Sequence, residues 1–174
     1  MKKLRGFTLI EIIVVIAIIG ILAMILVPTM LGYVKNARIR RFNSNAATVF
    51  KGSQLAIIDA VNAQQVVPPG TIFINSTNGN GVCTENGGTL EIDISDYVGE
   101  DFDGYFGFMT DNDGSGCLYA MWSEDPLSAS NISTGMSESD VKATFGGGNT
   151  PIGCHPLGVS APQNNGGGNG ESNT

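Results

Sequence analysis

Histidine, cysteine and tryptophan are scarce in this chain, and the shortage removes whole classes of chemistry. His155 is the only histidine and Trp122 the only tryptophan. The three cysteines, Cys83, Cys117 and Cys154, sit 34 and 37 residues apart, which fits no metal-ligand spacing. With one histidine and no such spacing, triad and general acid–base chemistry have little to draw on. Basic residues are missing from most of the chain. Eight of nine fall at or before Lys51, and beyond it only Lys142 is basic, against fifteen of the sixteen acids. That acidic portion offers no electrostatic footprint for nucleic acid, so no direct nucleic-acid binding is expected.

Charge is also absent from one long block. Between Glu11 and Lys35 lie 23 residues with no Asp, Glu, Lys or Arg. As a helix, such a block rises roughly 35 Å, against about 30 Å of bilayer hydrocarbon. It is longer than the apolar core of a secretory signal, and no small-residue cleavage site ends it. The flanking Lys2, Lys3 and Arg5 would hold the N-terminus on the cytoplasmic side. Glu11 stands at the head of this block as its only carboxylate. A carboxylate in hydrocarbon is unfavourable by about 2–3 kcal/mol at mid-depth and by less near the interface, so it calls for a partner.

The order Gly6-Phe7-Thr8-Leu9-Ile10-Glu11, after a basic leader and before the apolar run, resembles the type IV pilin and pseudopilin signature over residues 6–28. The resemblance implies cleavage between Gly6 and Phe7 by a prepilin peptidase and methylation of the new Phe7 amine. It also implies an assembly role for Glu11, which would meet the N-terminal amine of a neighbouring subunit. It makes Gly20 and Pro28 places where the helix melts on leaving the membrane. The implied fold is α+β, a long N-terminal helix packed on a small antiparallel sheet. The implied partners are other copies of the chain, the peptidase, an inner-membrane assembly platform and, before assembly, membrane lipid. The implied location is the bacterial cytoplasmic membrane and then an extracellular filament. The implied function is a pilus subunit. The alternatives are a pseudopilin of a type II secretion or DNA-uptake system and, more remotely, a membrane-anchored binding protein that never polymerises.

Beyond the apolar block, Ile39, Phe42, Ala46, Val49, Phe50, Ile57, Ala60 and Val61 keep a helical stripe. Pro68-Pro69-Gly70 ends it. The spacing predicts one helix from Phe7 to about Gln65, with Arg38, Arg40 and Arg41 available to lipid headgroups or to acidic neighbours. The expected divisions are a leader at 1–6, a membrane and assembly helix at 7–34, and an amphipathic helix at 35–65. A β-rich head at 66–157 and a flexible Gly/Asn-rich tail at 158–174 follow.

In the head, Thr71 to Ile74 and the alternating Leu90, Ile92 and Ile94 read as strands, and Asn75 to Gly88 as a loop. Tyr105–Thr110 and Cys117–Trp122 read as a hairpin apolar on both faces, with Trp122 in the core. Ser137 to Asp140 reads as a capping box opening a short helix. If the head is exported, one disulfide and one leftover thiol among the three cysteines is the simplest arithmetic. The turn Asp111-Asn112-Asp113-Gly114-Ser115-Gly116 matches the opening of an EF-hand loop, making Asp111, Asp113 and Ser115 weak calcium candidates. Trp122 stands where the bidentate Glu is required, so a plain acidic turn is the better reading and no cofactor is expected. Asn75-Ser76-Thr77 and Asn131-Ile132-Ser133 match the N-glycosylation pattern weakly.

Overall fold

The computed structural model describes residues 7–99, 102–146 and 148–161; the leader with Gly6 and most of the expected tail, 162–174, lie outside them. The described chain forms two compact units, divided between Arg38 and Ile39. A long N-terminal helix and a small antiparallel sheet follow one another, the α+β arrangement implied above.

Helix α1 runs Leu9–Asn62 and includes Pro28. Its bounds fall two or three residues inside the predicted ones. In the first unit every described residue is exposed, from Phe7 to Arg38. This is the one helix, among the described residues, long and apolar enough to cross a membrane.

The second unit holds the rest of α1 and a six-stranded sheet. Its strands are β1 (Ile72–Ile74), β2 (Val82–Glu85), β3 (Glu91–Asp93), β4 (Tyr105–Thr110), β5 (Cys117–Ser123) and β6 (Gly153–His155). They are ordered β3-β2-β1-β4-β5-β6, with every neighbour antiparallel. Short helices α2 (Ser95–Val98), α3 (Ala129–Ile132) and α4 (Glu138–Thr144) complete it.

The central hairpin, β4 and β5, is apolar on both faces because each face has its own cover. Phe106, Phe108, Ala120 and Trp122 pack with Phe42, Ala46, Val49 and Ile57 of α1. Met109, Tyr119 and Met121 pack on the other side with Ile132 of α3 and Val141 of α4. Strand alternation puts even positions on the helix side. Cys117 is odd yet joins that side, because the register shifts where Met109 pairs with Tyr119 and Thr110 with Cys117. The extra residue of this bulge resets the parity.

Helix α1 is fastened to the sheet by side chains. The backbone N–H of Cys154 on β6 donates to Asn43 Oδ1 at 3.2 Å, and that of Cys117 on β5 donates to Gln54 Oε1 at 2.8 Å. Gly153 lets β6 reach the helix: a Cβ there would lie 2.3 Å from the Phe42 carbonyl. The Phe42 ring meets Trp122 and Phe145 edge-on at 4.7 and 5.0 Å.

Four expectations need correction. The polar stretch 75–88 is not all loop, because β2 lies inside it and pairs with β1 and β3. The strand expected through Ile94 ends at Asp93, and the chain turns into α2. The tail does not begin at Gly158: its N–H donates to the Met136 carbonyl at 2.8 Å, and Val159 and Ala161 pack on the second apolar cluster. No disulfide forms, and Cys83, Cys117 and Cys154 are free and buried. Strands β1 and β4 separate Cys83 on β2 from Cys117 on β5. Cys154 pairs across from Met121, four residues along β5 from Cys117, about 13 Å at a strand's rise and beyond disulfide reach.

Candidate assembly site

Glu11 sits in the first turn of α1. A carboxylate there suits the positive end of the helix dipole. Its Oε2 accepts the Thr8 backbone N–H and the Thr8 hydroxyl, each at 2.7 Å. The Glu11 N–H points back to Thr8 Oγ1 at 3.4 Å. Thr8 and Glu11 thus form a reciprocal cap, the Thr-x-x-Glu pattern that satisfies orphan donors at a helix start. Sequence reasoning missed Thr8, although its spacing from Glu11 carries the signal.

A shallow hollow of about 400 Å³ surrounds this carboxylate, lined by Phe7, Ile10, Glu11, Val14 and Val15. Phe7 and Leu9 are 85% and 77% exposed, so an apolar patch frames one acid. In water such a patch is unfavourable, and it marks a surface meant for lipid or for another chain. Phe7 and Glu11 therefore come together here, while Gly6 is outside the described residues.

Gly20 and Pro28 lie within the helix, and a Cβ at Gly20 would meet nothing within 4 Å. Pro28 supplies no N–H to the ladder. Beside it the Thr29 hydroxyl donates to the Leu26 carbonyl at 2.8 Å.

The remaining sequence candidates are scattered over the second unit and build no site together. Arg41 pairs with Glu124 of its own head and stands over the Phe42 and Trp122 rings. In the acidic turn, the Ser115 N–H donates to Asp111 Oδ1 at 2.9 Å and to Asp113 Oδ1 at 3.0 Å. The Ser115 hydroxyl, and after it the Ser115 N–H, hold the Asp113 carboxyl below its ordinary range. Among the described residues, no group of three His, Cys, Asp or Glu side chains is placed to hold a metal. Asn75 is buried, and the Asn131 side chain caps α3 by accepting the Ser128 N–H at 2.9 Å.

Residues 1–27 match the family model described as a prokaryotic N-terminal methylation motif. The chain is similar to type IV major fimbrial protein FimA of Dichelobacter nodosus, 36% identical over 81 residues, 46% of this chain and 48% of that protein. It is also similar to a fimbrial protein of Pseudomonas aeruginosa, 39% identical over 59 residues, 34% of this chain and 38% of that protein. The chain thus spans about half or less of the curated relatives it matches. No solved structure gives a significant match. The resemblance read from residues 6–28 is borne out, and both named relatives are fimbrial proteins.

Proposed function

We propose that this chain is the building subunit of a type IV pilus. In this reading the peptide bond between Gly6 and Phe7 is hydrolysed on the cytoplasmic side, and the freed Phe7 amine is methylated. Subunits then leave the bilayer through a membrane assembly platform and polymerise through the apolar half of α1. One observation carries the reading: from Phe7 to Val34 the only charged side chain is Glu11, set in an exposed apolar surface.

A subunit entering a filament exchanges lipid for other copies of this helix. A buried carboxylate and a buried ammonium each lose hydration, and pairing offsets much of that cost. The Phe7 amine of a second subunit is the cation this reading supplies. A copy in register pairs the charges, and a copy out of register strands them in hydrocarbon. The pair therefore selects register, a difference between right and wrong partners, more than it adds net stability. Until then the Thr8 cap holds the carboxylate.

The names of the fimbrial relatives favour a surface pilus over a secretion or DNA-uptake pseudopilus. The test is Glu11→Ala in the cell of origin. Mass spectrometry should find the mature chain beginning at methylated Phe7, while electron microscopy of sheared surface material finds filaments lost. Normal filaments from that variant would sink the register argument. An intact Met1 terminus on the wild-type surface protein would remove the pilin reading altogether.

A further inference from the structure

Within the second unit, a cleft of about 500 Å³ opens between segments remote in sequence. That volume lies within the range of small-ligand sites. Arg41 and Asn45 come from one face of α1, Asn78 from the β1–β2 loop, and Asp103 and Gly104 from the approach to β4. Its floor is aromatic. Trp122 is 3% exposed and donates its indole N–H to the Asp103 carbonyl at 2.9 Å. Phe102 is half-buried and lines the same cleft.

The wall beside the indole is fixed. Gly104 has φ +115°, and a Cβ there would lie 2.4 Å from Trp122 Nε1, so only glycine lets this backbone lie against the ring. The Gly104 N–H donates to Asn78 Oδ1 at 2.6 Å. That bond uses the oxygen of the Asn78 carboxamide and leaves its NH₂ as a donor. The lining therefore brings together two carboxamide residues, Asp103, an Arg41–Glu124 pair and an aromatic edge.

We propose that this cleft binds a neutral saccharide. Sugar hydroxyls both donate and accept, and the lining offers both kinds of partner, while a pyranose C–H face suits the Phe102 ring. An anionic ligand is disfavoured, because Arg41 is the one cation among the described lining residues, is already paired with Glu124, and shares the lining with Asp103. A cationic ligand would use Asp103 but leave the amide donors of Asn45 and Asn78 unmatched. Copies of such a site along a filament would turn a weak contact into strong adhesion, although the cleft itself does not depend on assembly.

The test uses the full chain in a polyoxyethylene detergent, which has no sugar headgroup. Trp122 is the only tryptophan, so its emission reports on the cleft. Lactose, maltose and diacetylchitobiose are titrated, with trilysine and inorganic phosphate as the charged probes. At least one disaccharide is expected to shift the emission saturably and to receive magnetisation in saturation-transfer NMR. Asn45→Ala, which leaves the Gly104 loop untouched, should weaken that response about ten-fold with an unchanged thermal melt. Three results would each overturn the proposal. One is no saturable response to any disaccharide up to about 50 mM, well past the range of a weak single site. Another is binding of trilysine or phosphate instead. The last is an Asn45→Ala response equal to wild type.

Discussion

Tyr119 shows how much one buried polar atom constrains this head. Its ring is fully buried between the sheet and α3, and its hydroxyl donates to the Ile132 carbonyl at 2.7 Å. Burial pushes its phenol up to about 12, with Cys154 and Cys117 adding to the shift. In the unfolded chain the phenol returns to about 10 and gives up its proton first as pH rises. Stability tied to Tyr119 is therefore intact below about pH 10 and is lost as pH climbs toward about 12. Burial also raises the thiols of Cys83, Cys117 and Cys154, so the whole alkaline loss includes their share. Tyr119→Phe isolates the tyrosine. Urea melts of the solubilised variant should show about 1 kcal/mol lost at neutral pH, where the Ile132 carbonyl has no donor. The gap from wild type should then shrink above pH 10. A constant gap through pH 12 would mean that the phenol does not titrate with unfolding.

At the scale of elements, the helix and the sheet are joined by groups that no periodicity announces. Asn43 and Gln54 each accept a strand N–H, and Gly153 lets β6 approach α1. Gln54→Ala orphans the Cys117 N–H and should cost about 1–3 kcal/mol in a denaturant melt. Gly153→Ala forces β6 off the Phe42 backbone and should cost about 1–3 kcal/mol, as overpacking does. Full stability for Gly153→Ala would mean that β6 does not need that approach. The same elements show what could be read in advance. α1, the β4–β5 hairpin and the α4 cap were legible because each is a local pattern: an apolar stripe, two apolar runs about a turn, Ser137 three residues before Asp140. β2 and β6 were not, since each is three or four residues in polar, Gly-rich sequence and exists through its partners. β6 pairs with β5 some thirty residues earlier. The Glu11 site was legible because residues 7–15 hold all of it, whereas the saccharide cleft draws on segments between Arg41 and Glu124 that meet only after folding.

Over the whole molecule, charge divides more sharply than structure does. Lys35, Arg38, Arg40, Arg41 and Lys51 cluster on α1, while all but one of the acids follow them in the chain. Arg41 is tied to Glu124 within its own subunit, so it is a poor candidate for bridging two copies. Arg40 is exposed and lies one residue from it. A basic segment on one copy can meet the acidic surface of another by a two-fold or by a head-to-tail contact, and only the head-to-tail kind propagates into open filaments. Such contacts weaken with salt, because the Debye length falls from about 10 Å at 0.1 M to about 3 Å at 1 M. Apolar contacts between α1 helices respond little or in the opposite sense. The proposed filaments should therefore lose thermal stability as salt rises through that range. Arg40→Glu should lower filament yield and remove part of the salt dependence, while the proposed cleavage before Phe7 proceeds as in wild type. Filaments whose melting is flat across that range, with Arg40→Glu assembling normally, would leave the apolar helix and Glu11 as the whole of the assembly code.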